Sequence, residues 1–195
     1  MLAYVFWHRP ADGVATDVYE RALVRFQHSL SHQPPAGLLG SATLRAPSLP
    51  WLAPDGPGYE DWYLVEGWSA LGVLESAAVS PGHESAHREA ARRSGAGEGG
   101  VYRLIEGDAQ PADARLAVWV TRPPGRGDAT IAELLDDGVA PGAGSLWQRS
   151  LVLGPAPEFC LLLTASENPP DTGVGSARLP AGWTASPSPR EAVLG

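Results

Sequence analysis

The chain has no lysine; all 14 of its basic residues are arginine. That excludes a Schiff-base lysine, a lysine general base and the lysine of a phosphate-binding P-loop. Isoleucine occurs only at Ile105 and Ile131 and asparagine only at Asn168, a bias of base composition in a GC-rich genome, not a chemical signal. A single cysteine, Cys160, rules out a disulfide within the chain and a four-thiolate metal site, and it suits the cytoplasm. Positive charge is scarce: the formal net charge is −8 and the pI near 5.0, against the cationic surface that nucleic-acid binding needs. No apolar run approaches ~18 residues, and the start MLAYVFWHRP has neither a basic leader nor a cleavage pattern, so neither a membrane span nor a signal peptide is expected. What the chain does have is 44% hydrophobic residues over 195 positions and seven tryptophans, enough for a proper core.

Gly58 to Val79, GYEDWYLVEGWSALGVLESAAV, organises the reading. An aromatic, β-favouring run is broken by Gly67, and Trp68-Ser69 then opens a helix with Leu71, Leu74 and Ala78 on one stripe. Before it, Leu2 to His8 reads as a strand apolar on both alternating sets and hence covered on both faces. Thr16 or Asp17 can cap a helix carrying Val18, Ala22, Phe26 and Leu30, which Pro34-Pro35 ends, and Gly37 to Ala46 is a second strand. Ser80-Pro81 marks a further helix running to about Arg93, and a strand follows from Gly99. The order is β-α-β-β-α-β, a ferredoxin-like unit.

A second, shortened unit then begins. LAVWVTRP, Leu116 to Pro123, echoes LAYVFWHRP; a helix is expected over Asp128 to Asp136, with strands at Ser145 to Gly154 and Glu158 to Ser166 joined by Gly154-Pro155-Ala156-Pro157. Glu167 to Gly182 is rich in Pro and Gly where the first unit has two helices. A last strand is expected around Trp183. The division is therefore 1–110 for the first unit, 111–185 for a degenerate second one, and 186–195 for a tail.

Two ferredoxin-like units in one chain, with the GYEDWYLVEGWSALGVLESAAV type of third strand and helix, resemble the dimeric α/β-barrel superfamily in its tandem, single-chain form. The resemblance covers roughly residues 2 to 166. It implies an α+β fold in which two antiparallel sheets pack face to face with helices outside. It also implies ligand binding between the sheets, and an activity among cofactor-independent monooxygenases or haem-handling enzymes acting on an apolar aromatic substrate. On that footing His8, preceded on its face by Tyr4 and Phe6, is expected at the mouth of an apolar cavity with Trp62 and Glu66. The residues themselves indicate no cofactor, haem included. The expected partners are a small apolar ligand and, as an option left open, a second copy in a homodimer. A small-molecule-binding barrel is the first reading and an oxidoreductase the second. An interior filled by Trp and Leu would instead favour a structural or interaction protein.

Three motifs compete with this reading. His83-Glu84-Ser85-Ala86-His87 matches H-E-x-x-H, the zinc-protease pattern, but Pro81 and Gly82 put it in the first turn of a helix, and Glu84 with Arg88 and Glu89 with Arg93 fit solvated i,i+4 pairs. His83 and His87 are accordingly a remote metal candidate, and no metal is expected. Gly95 to Gly100 contains G-x-G-x-x-G, but between helix and strand and not after a strand, so it is expected to be a flexible connector. Cys160, within FCLLLT, is expected to be a core thiol. His28 and His32 share a helical face that looks solvent-facing.

Overall fold

The computed structural model describes residues 1–47, 49–52, 58–108, 110–122, 142–152, 157–164 and 183–193. The expected helix over Asp128 to Asp136, the Gly154 to Ala156 part of the link and all of Glu167 to Gly182 lie outside these. The elements are β1 (Leu2–Pro10), α1 (Thr16–His32), β2 (Leu38–Ala46), β3 (Gly58–Val65), α2 (Trp68–Ala78), α3 (Glu84–Ala91), β4 (Ser94–Gly107), β5 (Leu116–Thr121), β6 (Gly144–Val152), β7 (Phe159–Leu163), β8 (Thr184–Pro189) and β9 (Glu191–Ala192). No helix among the described residues is long and apolar enough to cross a membrane.

All pairings are antiparallel, in one sheet ordered β8-β5-β7-β6-β4-β1-β3-β2-β9. Each group of four strands, β4-β1-β3-β2 and β8-β5-β7-β6, follows the same spatial order relative to the chain. The long β4 pairs with β1 and continues onto β6, while β8 pairs with β5 and β9 with β2. Since β8 and β9 are separated only by Arg190, the chain itself brings the two ends of the sheet together into a nearly closed barrel.

The double alternation of β1 has the expected consequence. Ala3, Val5 and Trp7 face the interior with Trp62, Leu64, Tyr102, Trp119, Trp147, Cys160 and Leu162, whereas Leu2 and Tyr4 pack towards Phe26 and Leu30 of α1. Four tryptophans, Trp7, Trp62, Trp119 and Trp147, are fully buried in the interior, with ring centroids 5.3 Å apart for Trp7 and Trp119 and 5.6 Å for Trp62 and Trp147. Offset and edge-to-face contacts of this kind add to the burial of each large ring.

Four local expectations change. The residue before α1 is Ala15, with no side-chain cap; Thr16 and Asp17 lie in the first turn, where the Asp17 charge still complements the helix N-terminus. The helix expected from Ser80 starts only at Glu84, because the Ser80 carbonyl accepts from the amides of His83 and Glu84 in a tight turn. The segment 186–195, expected as a tail, supplies β8 and β9. Pro187 and Pro189 disguise it, yet β8 pairs only with β5 at the end of the strand order, a position where a missing N–H is tolerated.

The glycine run, expected as a connector, is the first half of β4, paired with β1 as Phe6 to Gly99 and His8 to Gly97. Glycine is needed there because a Cβ on Gly99 would sit 2.6 Å from the Tyr4 hydroxyl, and one on Gly97 would meet the Phe6 ring. Neither ring can swing away freely, since Phe6 stacks between Tyr4 and His8. Gly97→Ala and Gly99→Ala should each cost about 1–3 kcal/mol by overpacking. Gly72→Ala, in mid-helix with open space around it, should stabilise by about 0.5–1 kcal/mol. Urea unfolding of the three variants separates these signs.

Candidate functional site

Adjacent acids in the fully buried strand β3 send their carboxylates to opposite faces of the sheet, as strand geometry requires. Glu60 points into the barrel. Its Oε2 accepts from Trp62 Nε1 and its Oε1 from Trp119 Nε1, each at 3.1 Å. Arg190 Nε lies 3.0 Å from Oε2, an ion-pair distance whose angle is too poor for a hydrogen bond, and Nη1 donates to the Pro111 carbonyl at 3.1 Å. The Arg190 guanidinium also sits over the Trp62 ring, 5.5 Å from its centroid. The pair joins β3 of the first half, β5 of the second and the closing residue of the barrel.

Asp61 faces the helices. Thr43 Oγ1 donates to its Oδ1 and Tyr63 Oη to its Oδ2, the latter at 3.1 Å. His8 Nε2 lies 3.2 Å from Oδ2, again in ion-pair range but off the hydrogen-bond line. The other ring nitrogen, Nδ1, is 2.5 Å from the Tyr19 hydroxyl of α1. Burial, with Asp61 adding to it, pushes the Tyr19 phenol well above its ordinary range. Tyr19 therefore keeps its proton, and where its hydroxyl donates to Nδ1 the ring proton of His8 stands on Nε2, towards Asp61.

The polarity of the remaining network follows from the carboxylate, which can only accept. Thr43 must donate to Asp61, so its oxygen is free to accept from Gln27 Nε2 at 3.0 Å, and Gln27 Oε1 accepts from Ser41 Oγ at 2.5 Å. His8 is 1% exposed, with the nearly parallel rings of Phe6 and Tyr59 centred 5.2 and 5.7 Å away. Tyr59 in turn donates to Glu20, which Arg45 clamps with two hydrogen bonds of 2.5 and 2.7 Å and thereby holds below the ordinary carboxylate range. Tyr4 and Phe6 are half-buried at the edge of this layer.

The expected site residues thus divide. Tyr4, Phe6 and His8 share the helix-facing side, but Trp62 pairs with Val5 and faces the interior, and Glu66 is exposed beyond the end of β3. His8, Trp62 and Glu66 do not converge, because the cross-strand register sets Trp62 on the opposite parity from His8. The space between the sheets where a ligand was expected is filled by indoles. Asp61, Tyr19, Thr43, Glu60 and Arg190 were not singled out; two acids inside an aromatic strand were the available signal.

His83 is buried with Nδ1 3.1 Å from Ser29 Oγ, while His87 packs on Phe26 and burial lowers its pKa. The expected Arg88–Glu84 and Arg93–Glu89 pairs form, the latter at 3.3 Å. Among the described residues no three His, Cys, Asp or Glu side chains are arranged to hold a metal ion. Haem does not fit at His8, whose ring is 1% exposed with Asp61, Tyr19, Phe6 and Tyr59 packed around it. Cys160 is fully buried, and burial pushes its thiol well above the ordinary range, as a core thiol requires. His28 and His32 are exposed.

All five tyrosines, Tyr4, Tyr19, Tyr59, Tyr63 and Tyr102, are raised above the ordinary value of 10, chiefly by burial; Tyr59 reaches about 12. Above pH 10 the unfolded chain loses phenolic protons that the folded chain retains, so this contribution to stability is intact below pH 10 and lost as pH rises beyond it. A tyrosinate absorbance titration should show no step at the ordinary value, then one steep rise coinciding with loss of circular dichroism. A gradual rise of five phenols near pH 10 would contradict this.

The matching face of the second half carries no such network among the described residues. There Val118, Val120, Leu146, Phe159, Leu161 and Trp183 form an apolar cluster.

No protein-family model matches the chain, and no curated protein is significantly similar to it. Among solved structures it is similar to an anthrone oxidase-like protein, with a TM-score of 0.54, 10% identity and coverage of 98% of this chain and 93% of that one. It is also similar to a provisionally named monooxygenase of Fusobacterium nucleatum subsp. nucleatum, with a TM-score of 0.60, 9% identity and coverage of 98% and 92%. At such identities the likeness is one of fold, and it agrees with a barrel-like α+β architecture.

Proposed function

We propose that this chain is a small-molecule-binding barrel of two fused ferredoxin-like units, whose ligand is a planar aromatic molecule seated beside Tyr4 and Phe6 on the helix-facing side of the first unit. The repeated strand order supports the two-unit reading. The observation that carries the site is the buried Tyr19–His8–Asp61–Thr43–Gln27–Ser41 network, which stands where the second half has an apolar cluster. Burying ionisable groups costs desolvation that an apolar cluster avoids, so such a network on one face of two points to use beyond stability.

In this reading the exposed edges of Tyr4 and Phe6 contact the ligand, and the protonated Tyr4 hydroxyl offers it a hydrogen bond. His8, enclosed on all sides, is a positioning residue that fixes Asp61 and the Phe6 ring. The neighbours' names, an anthrone oxidase-like protein and a monooxygenase, make oxidation of the bound phenol the activity to assay, by oxygen uptake.

Calorimetric titration with bicyclic and tricyclic phenols tests the binding. A Kd on the order of 1–100 μM is expected, weakened about tenfold by Phe6→Ala or Tyr4→Ala. No binding below about 1 mM across the set would sink the proposal and favour an interaction protein, which the Trp-filled interior also suits.

A further inference from the structure

We infer that the C-terminal strap, Glu191 to Val193, is a gate over the His8 cluster, hinged at Arg190 and lifting to admit a molecule that α1 and the sheet otherwise enclose. Val193 packs against the group formed by Tyr19, Ala22, Leu23, Tyr59 and Ala90, and two of these, Tyr19 and Tyr59, are in direct contact with the His8 ring. The strap borders an open groove of about 610 Å³ between α1 and β2, lined among others by Glu20, Val24, Arg45, Glu191 and Val193. Glu20, on the wall of that groove, accepts the Tyr59 hydroxyl, so the groove ends one side chain away from His8.

The strap is held unequally on its two sides of Arg190. At the hinge, the Arg190 side chain is wholly enclosed with Glu60, its amide donates to the Arg115 carbonyl at 2.9 Å, and Nη1 donates to Pro111. Beyond it, β9 is a two-residue strand, Glu191 meets Arg45 through a carboxylate whose side chain is 70% exposed, and the Val193 amide donates to the Thr43 carbonyl at 3.0 Å. Exposed ion pairs hold little, and segments with few buried contacts open at the low end of the local stability range. The strap also reaches the network itself, because Thr43, whose carbonyl it uses, donates its hydroxyl to Asp61.

This inference rests on the proposed site for its purpose but not for the motion, and its test needs no ligand. In the folded chain, the probe is diethyl pyrocarbonate, with modification of each histidine followed by mass spectrometry. His8 should react slowly in the unaltered chain, while exposed His28 and His32 serve as standards. In the Glu191→Arg, Val193→Ala double variant His8 should react about tenfold faster, with buried His83, held by Ser29 towards the other end of α1, unchanged; hydrogen exchange at the Val193 amide should accelerate in parallel. The single Val193→Ala variant should give a smaller change in the same direction. Faster exchange at Val193 with His8 unmoved overturns the gate. So does a joint rise at His8 and His83, which would mean global loosening, and so does an unaltered Val193 amide in the double variant. If His8 responds but no phenol binds, the ligand reading fails and the gate stands; the reverse pair of results separates them the other way.

Discussion

Asp61→Ala should lower the stability of the fold by about 2–5 kcal/mol, because buried donors are left without an acceptor at a cost of about 1–3 kcal/mol each. Three donors lose their acceptor at once: Thr43, Tyr63 and, across 3.2 Å, His8. None can turn to water, since Asp61 is 5% exposed and the others are buried. The Gln27 and Ser41 bonds depend on Thr43 donating inward, so they should lose their fixed polarity and α1 its register on the sheet. Guanidinium unfolding measures the loss; a change below about 1 kcal/mol would mean that the network is not closed around the carboxylate.

The second large effect lies on the other face of the same strand. Arg190→Met should cost about 3–5 kcal/mol, because it leaves the Glu60 carboxylate in the interior with only two indole donors. Combining it with Glu60→Leu should recover most of that loss and bring the double variant to within about 2 kcal/mol of the original protein, since a buried ion pair replaced whole by apolar groups is often neutral. A double-mutant cycle reads the coupling directly. Additive losses would show that the Arg190 side chain acts through its bond to Pro111 and its contact with the Trp62 ring and not through Glu60.

These two carboxylates show where the sequence was legible and where it was not. The strand from Tyr59 to Val65 announces itself by composition, and the alternation of Leu2 to His8 correctly implies a sheet covered on both faces. Which face each residue joins depends on pairing register, and that is a long-range property: Val5 opposite Trp62 puts Trp62 among the indoles and leaves His8 with Asp61. Arg190 could not be placed at Glu60 from sequence, because only barrel closure by β8 and β9 brings it there, in a segment whose prolines suggest a tail. The glycines of β4 carry no strand preference of their own. They are strand because Tyr4 and Phe6 lie across them, a cross-strand fit invisible in a single segment.

The helix-facing site is tested most directly by following amide and indole resonances while a tricyclic phenol is titrated into the folded protein. The amides of Gly97 and Gly99 and the rings of Tyr4 and Phe6 should shift with saturation, and the indole N–H signals of Trp62 and Trp119, bonded to Glu60 inside the barrel, should stay in place. Shifts at Trp62 and Trp119 with Gly97 and Gly99 unmoved would put the ligand inside the barrel and contradict the assignment.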